Sequence, residues 1–151
     1  MTCERLLLYS DGGARGNPGP AAIAYLVLTE KGEIAKADSR PIGTHTNNQA
    51  EYMALIAALE FAATTKVEEV LCHLDSELVV KQLNGEYRIK NFELQTLWSK
   101  TNELRSCFKK ISFVNVPRSN PQIRKADTLV NSTLDQESTK SKGYKRLTSE
   151  I

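Results

Sequence analysis

Short apolar runs alternate with longer amphipathic stretches along the chain, and this alternation predicts its secondary structure. The first apolar run, over residues 6–9, is short and continuous, which is typical of a buried central strand. A glycine-rich loop is predicted over 12–20. Alternating apolar residues then predict strands over 21–29 and 33–39, joined by a hairpin turn at 30–32. Because the loops between these three strands are short, we expect antiparallel pairing.

The hydrophobic period changes in the second part of the chain. Apolar residues recur at helical spacing over 48–64, which predicts a helix with one strong apolar face. The pattern that follows predicts, in order, strand 67–74, helix 76–84, helix 92–109, strand 111–116 and helix 122–134. Strand–helix–strand passages favour parallel pairing. We therefore predict an α/β fold with a five-stranded mixed sheet, three antiparallel strands followed by parallel ones, and helices on both faces.

The apolar content falls sharply after residue 135. We therefore predict one domain over 1–135 and a polar, flexible C-terminal tail over 136–151. The N-terminus has no apolar core typical of a signal peptide, and no apolar run is long enough for a membrane span. We expect a soluble, cytoplasmic protein with no membrane partner. A net charge of +2 permits a nucleic-acid partner without requiring one.

Four acidic residues fall where the predicted fold could bring them together. Asp11 follows the first strand and Asp75 follows the fourth, and neighbouring parallel strands end at the same edge of a sheet. Glu51 and Asp127 lie in the first turns of two predicted helices. Crowded carboxylates repel each other, and a bound divalent cation usually resolves this repulsion. An all-oxygen set predicts Mg²⁺ or Mn²⁺ rather than zinc.

Each of these residues also has an ordinary structural explanation. Asp11 begins a common Asp-Gly turn dipeptide, and Glu51 complements the dipole of its helix. Asp75 is a suitable helix N-cap, and Asp127 fits a solvated helix position. Taken singly, these explanations are at least as strong as the functional one. Taken together, they leave the glycine-rich loop and the two asparagines before Glu51 unexplained.

Four sequence motifs, in this order, resemble those of type 1 ribonuclease H. They are YSDGGARGNPGP from Tyr9, TNNQAEYMAL from Thr46, LDSELV from Leu74, and VPR from Val116 followed by Ala126-Asp127. An Asp-Gly-Gly motif alone would be a weak signal. All four motifs together cover the chain from Leu6 to about Leu134.

The resemblance implies a ribonuclease H-like fold and an endonuclease that cuts the RNA strand of RNA–DNA hybrids, leaving 5′-phosphate and 3′-hydroxyl ends. It implies that four carboxylates bind two Mg²⁺ ions, with Mn²⁺ as a substitute: Asp11, Glu51, Asp75 and Asp127. It also implies that Thr46 lies near a DNA-strand phosphate and that Asn47 and Asn48 sense RNA 2′-hydroxyls, for which amides offer donors and acceptors. Further substrate contacts assigned on this basis are Gly12, Gly13, Asn17, Gln49 and Arg118.

The chain departs from the family pattern in two places. Many relatives carry a histidine in the loop before the last carboxylate, where this chain has Arg118. Arginine can hold a phosphate but does not exchange protons near neutral pH. Many relatives also insert a basic helical protrusion, whereas residues 85–90 here lead almost directly into the next helix. Six basic residues are then left to supply phosphate contacts: Arg15, Lys81, Arg88, Lys90, Arg118 and Arg124.

Three other functions stay open on the sequence. A binding-only relative would keep the fold without cleavage, although all four carboxylates are present. An integrase or junction resolvase of the same fold is a second alternative, against which the run from Thr46 to Glu51 argues. The third is an interaction module whose polar tail recruits a partner. We expect a monomer that acts on RNA–DNA hybrids, with duplex RNA as a second candidate substrate.

Overall fold

The computed structural model describes the backbone of residues 4–149 and the side chains of residues 4–140. Over this range the chain forms five strands and four helices in the predicted order. They are β1 (Arg5–Ala14), β2 (Gly19–Thr29), β3 (Ile34–His45), α1 (Asn47–Thr64), β4 (Glu69–Leu74), α2 (Glu77–Leu83), α3 (Phe92–Arg105), β5 (Lys110–Asn115) and α4 (Pro121–Ser149).

The five strands form one mixed sheet in the order β3-β2-β1-β4-β5. The first three strands pair antiparallel, and β4 and β5 add in parallel. This confirms the predicted α/β fold class and its sheet. The central strand is β1. Its C-terminal end therefore lies between the helices that pack on the two faces of the sheet.

Helices cover both faces of the sheet. On one face, α1 packs over β1 and β2 and α3 packs against α1, around fully buried residues such as Leu8, Leu55 and Val70. On the other face, α4 lies on the alanines of β2, where Ala24 packs with Ala126 and Val130. Small side chains let α4 approach the sheet closely. Because Ala24 lies opposite Asp11 in the β1–β2 pairing, α4 reaches the strand that carries Asp11.

The predicted loop over 12–20 was wrong over most of its length. Pairing between β1 and β2 continues to Ala14 opposite Ala21, so that only residues 15–18 form the turn and Asp11 lies within the strand. β3 likewise continues to His45, beyond the predicted end at residue 39. Its side chains are mostly exposed, and an exposed edge strand carries little hydrophobic signal.

The last helix is longer than the sequence pattern predicts. Its apolar contacts stop at Leu134, where we placed the end of the helix, but α4 continues to Ser149. Hydrophobic periodicity predicts only helices with an apolar face, and the sequence after Leu134 has no such period. The domain boundary at residue 135 and the flexibility of 136–151 stay predictions, and residues 150 and 151 lie outside the described residues.

Within residues 4–149, none of the helices has the length and apolarity needed to cross a membrane.

Candidate active site

Three of the four predicted carboxylates meet at the end of the central strand. One oxygen from each of Asp11, Glu51 and Asp75 lies within 4.8 Å of the other two. The parallel register of β1 and β4 places Tyr9 opposite His73. Asp11 and Asp75 each follow two residues later, so the register brings them side by side.

Glu51 reaches this group from the first turns of α1 because β1 has no side chain at Gly12. A Cβ atom at Gly12 would lie 2.2 Å from the Ala50 carbonyl oxygen, a distance that no real contact allows. The Gly12 N–H donates to Glu51 Oε1 over 3.2 Å. The glycine therefore allows the helix to lie against the strand and also positions the carboxylate.

Burial makes this group costly to ionise. Burial raises the pKa of Asp11 to about 7, with smaller contributions from the nearby negative charges of Asp75 and Asp127. Burial raises the pKa of Glu51 well above its usual value, and the neighbouring Asp11 adds to the shift. Glu51 Oε2 is buried and accepts no hydrogen bond from any group in the described part of the chain. The pair therefore requires a proton or a cation.

Asp127 lies next to this group rather than inside it. It is exposed on α4, yet its negative charge lies close enough to Asp11 to raise the pKa of Asp11. The structure therefore brings three predicted residues together and sets the fourth beside Asp11.

The donor atoms fit a hard divalent cation. All three clustered side chains are carboxylates, and oxygen-only sites favour Mg²⁺ or Mn²⁺. The orphaned Glu51 Oε2 is an acceptor that the fold itself leaves unsatisfied. Buried carboxylates of this kind are usually satisfied by a metal ion or by protonation.

Two of the predicted substrate residues form the cap of α1. Thr46 Oγ1 accepts from the Gln49 backbone N–H, and Gln49 Oε1 accepts from the Thr46 N–H over 2.9 Å. Gln49 Nε2 also donates to the Glu93 carboxylate on α3. Sequence patterns did not indicate Glu93, because only the tertiary packing of α1 on α3 brings it to Gln49. Both the oxygen and the nitrogen of the Gln49 side-chain amide are thus hydrogen-bonded within the protein.

The predicted asparagines connect the 15–18 turn to α1. Asn47 Oδ1 accepts from the Ala14 N–H over 2.9 Å, and Asn17 Oδ1 accepts from the Asn47 N–H over 3.0 Å. Each bond uses a carboxamide oxygen inside the protein. Asn48, the next residue of α1, is half-buried.

Arg118 lies at the rim of the carboxylate group. Its Nε is 3.5 Å from Asp75 Oδ2, and 88% of its side chain is exposed. Two of the other predicted phosphate contacts are engaged in ion pairs, Arg15 with Asp135 and Lys81 with Glu77. Arg118 is therefore the basic side chain that the structure places at the carboxylates.

The sequence also did not predict the stacked ring pair that precedes the two aspartates. The rings of Tyr9 and His73 lie 4.3 Å apart and nearly parallel, and His73 Nδ1 is 3.0 Å from the Leu8 carbonyl oxygen. Both contacts join β1 to β4 directly below Asp11 and Asp75. They agree with a structural role for His73.

Comparison with known proteins gives one family. A family model described as "Reverse transcriptase-like" matches residues 9–133. The chain is 41% identical to ribonuclease HI of Halobacterium salinarum over 131 residues, which are 87% of this chain and 65% of that protein. It is 38% identical to a bifunctional protein of Mycobacterium tuberculosis, with 87% of this chain matching 36% of that protein. The chain thus spans one part of these longer relatives.

Solved structures agree with the sequence matches. The crystal structure of RNase H1 from Halobacterium salinarum superposes with a TM-score of 0.83 and 41% identity, covering 87% of this chain and 98% of that one. LC11-RNase H1, solved in complex with an RNA/DNA hybrid, gives a TM-score of 0.80 at 40% identity with the same coverage. The fold and most of the sequence of this chain therefore match one set of relatives.

Proposed function

The chain belongs to the type 1 ribonuclease H family, and from this premise we propose that it is an endoribonuclease that hydrolyses the RNA strand of RNA–DNA hybrids. The products are 5′-phosphate and 3′-hydroxyl ends. The observation that carries the proposal is the cluster of Asp11, Glu51 and Asp75 at the end of the central strand. A binding module of the same fold would have no use for three carboxylates held at such cost.

Two divalent cations, Mg²⁺ or in its place Mn²⁺, are the proposed cofactors. Asp11, Glu51 and Asp75 would hold them, and Asp127 would complete the set from α4. When bound, the cations supply positive charge that stabilises a reacting phosphodiester. The protein contributes the position of the four carboxylates, which β1, α1, β4 and α4 fix independently.

Substrate recognition falls to the residues around the start of α1. We propose that Thr46 contacts a DNA-strand phosphate and that Asn47 and Asn48 contact RNA 2′-hydroxyls. The amide nitrogens are the relevant groups, because the carboxamide oxygen of Asn47 is engaged with Ala14. Gln49 holds Thr46 in place through the cap of α1.

Close approach of the backbone supports the remaining contacts. The nearest side-chain atom to a Cβ at Gly13 is 3.8 Å away, on Val130, and Gly12 offers no side chain toward the helix. Both glycines are proposed substrate contacts: the open space at Gly13 lets a phosphodiester lie near the strand, Gly12 contributes by holding α1 against it, and Asn17 lies at the adjacent turn. Arg118, exposed beside Asp75, is proposed to hold a phosphate.

A panel of four substrates tests the proposal. The protein is incubated with an RNA–DNA hybrid, duplex RNA, duplex DNA and single-stranded RNA, with Mg²⁺, with Mn²⁺ and with chelator. We expect rapid cleavage of the RNA strand in the hybrid, loss of cleavage in chelator, and slower or no cleavage of duplex RNA. Preferred cleavage of duplex DNA would instead favour a resolvase or integrase, and hybrid binding without cleavage would favour a binding-only relative.

Two further proposals concern the oligomeric state of the protein and its location in the cell. We expect the protein to act as a monomer, since each carboxylate of the group comes from one chain. We also expect cytoplasmic action. Sedimentation and cell fractionation test these points separately from the activity.

A further inference from the structure

The last helix continues well past the last buried apolar residue described in it. α4 has 29 residues, and its last buried apolar residue among those described is Leu134. At 1.5 Å per residue, the 14 residues of 136–149 amount to about 21 Å of helix after that residue. We call residues 136–149 the α4 extension.

The course of α4 places this extension at the end of the molecule that carries the carboxylates. Asp127 lies beside Asp11, Val130 lies beside Gly13, and Arg15 Nη2 contacts Asp135 Oδ1 at 2.6 Å. Successive turns of α4 thus follow β1 toward its C-terminal end. The extension therefore leaves the body beside the 15–18 turn, which Asn17 connects to the proposed substrate residues of α1.

Charge separates the extension from the rest of the chain. Residues 1–135 contain 16 lysines and arginines and 16 aspartates and glutamates, so this part has no net formal charge. The extension contains one acidic residue and four basic ones: Glu137, Lys140, Lys142, Lys145 and Arg146. The net positive charge of the protein is therefore confined to a segment that begins beyond the last buried apolar residue described in α4.

These basic residues weaken the helix that carries them. Lys142 precedes Lys145 by three residues and Arg146 by four, and like charges at these spacings destabilise a helix. The one ion pair described in the extension joins Lys140 to Glu137 at 3.5 Å between exposed side chains, and such pairs contribute little. A polyanion alongside the extension would relieve this repulsion.

We propose that the α4 extension is a second contact surface for the substrate duplex, which binds backbone phosphates away from the cleavage site. This inference rests on the proposed function. Lys140 and Arg146 follow Asp127 by 13 and 19 residues along one helix. The basic segment thus lies about 20–28 Å from Asp127, which corresponds to roughly 6–8 base pairs of duplex. The extension supplies the charge that the neutral domain lacks.

Two hybrids and two matched variants test the proposal. The first variant, K140Q/K142Q/K145Q/R146Q, removes the charges and keeps residues that favour a helix. The control, K31Q/K66Q/K109Q/K110Q, removes four exposed basic residues at the opposite end of the sheet. Single-turnover cleavage gives the rate at saturation and the half-saturating concentration on two hybrids, each with its ribonucleotides confined to the centre. The short hybrid has about 8 base pairs, which leaves roughly 4 on either side of the cleavage site and falls short of the extension. The long hybrid has about 30 base pairs and reaches the extension.

We expect the first variant to raise the half-saturating concentration on the long hybrid roughly tenfold near 0.1 M salt, with the saturated rate and the short hybrid unchanged. The slope of log affinity against log salt should fall by about 0.9 for each phosphate that the variant no longer binds. For the control variant, the logarithm of the half-saturating concentration should change by no more than about a third as much, on either hybrid.

Three results would overturn the proposal: equal affinity of parent and first variant for the long hybrid, equal weakening on both hybrids, or equal weakening by the control. Loss of binding to anionic vesicles without any change on the hybrids would also overturn it and would assign the extension to membranes. Binding of the long hybrid in chelator is measured in parallel. If the parent fails to cleave, the proposed function fails, while this binding still decides the role of the extension. Circular dichroism confirms that both variants fold.

Discussion

The backbone N–H of Gly12 and the carboxylate of Glu51 are joined across the contact between β1 and α1, over 3.2 Å. This bond forms only because the strand and the helix backbone touch at Gly12, where a methyl group would come within 2.2 Å of the Ala50 carbonyl oxygen. The position of the Glu51 carboxylate therefore depends on how α1 packs on β1. Substitutions that change this packing should also change the rate of cleavage.

Gly12→Ala should force β1 and α1 apart. We expect a loss of about 3 kcal/mol or more in the free energy of unfolding, together with loss of cleavage, since the added methyl group has a backbone atom as its neighbour. Denaturant unfolding measures the first effect. Gly13→Ala is the control, because its methyl group would lie 3.8 Å from Val130 and should cost little. Similar stability for both variants would contradict the packing argument.

The stability of the metal-free protein should fall as the pH rises from about 4 to about 7. The pKa of Asp11 is raised to about 7 in the folded protein by burial and by neighbouring charges. The unfolded chain therefore loses this proton at lower pH than the folded one, and the free energy of unfolding decreases across that window. Glu51 acts in the same direction. Thermal unfolding in chelator should give a Tm on the order of 5 °C lower at about pH 8 than at about pH 5.

Mg²⁺ or Mn²⁺ should remove most of this loss, because a ligand bound only by the folded state stabilises it. Asp11→Asn should also flatten the pH dependence in chelator, while Asp38→Asn, at a half-buried site on the edge strand β3, should leave it unchanged. A Tm that rises with pH in chelator would show that burial does not raise the pKa of these carboxyl groups in the folded protein.

Asp11→Asn should abolish cleavage and preserve hybrid binding. The substitution keeps the shape of the side chain and removes a charge from the centre of the proposed cation site. Binding should be unchanged or slightly tighter at low salt, because one repulsive charge has gone. Single-turnover cleavage and fluorescence anisotropy on the same hybrid separate the two effects. Cleavage at near the parent rate would refute the role proposed for Asp11.

Arg118→Ala should reduce cleavage only partly. An exposed guanidinium beside Asp75 contacts substrate phosphate in our proposal, so its removal should lower cleavage roughly tenfold and reduce the salt slope of binding by about 0.9. Arg40→Ala on β3 is the matched control. If Arg118→Ala is as inactive as Asp11→Asn, Arg118 takes part in the chemical step.

Truncation after residue 136 should leave the domain folded. The last buried side chain described in α4 is Leu134, and the ion pair between Arg15 and Asp135 is retained. We expect a change in Tm of less than about 3 °C, because none of the removed residues whose side chains the structure describes, 137–140, is buried. Rapid amide exchange over 136–151 in the full-length protein would support the predicted flexibility. A truncated chain that fails to fold would show that these residues pack in the native state.

The sequence predicts those parts of the fold in which hydrophobic burial follows a strand or helix period. The core strands and α1 have such a period, and their order, the sheet and three converging carboxylates follow from it. The 5–14 strand was predicted too short because its two glycines resemble a loop, although the first of them, Gly12, is needed for contact with α1. The polar half of α4 was missed because its sequence shows no apolar period.

Side-chain bonds between distant elements were beyond prediction for a different reason. No sequence pattern around Glu93 identifies Gln49 as its hydrogen-bond partner. Likewise, no pattern around Asn17 shows that its side chain accepts from the Asn47 N–H. These bonds depend on how elements pack, to within an ångström, and hydropathy carries no information at that scale.

The bonds around the 15–18 turn also bear on the thermodynamics of association. Asn17 and Ala14 already bond to Asn47 in the free protein. A turn held in this way has little conformational freedom left to lose when a duplex docks against it. Calorimetry should therefore show only a small entropic penalty from this segment. Deleting the Asn17 carboxamide should slow complex formation, because the turn would then have to adopt its bound conformation during association.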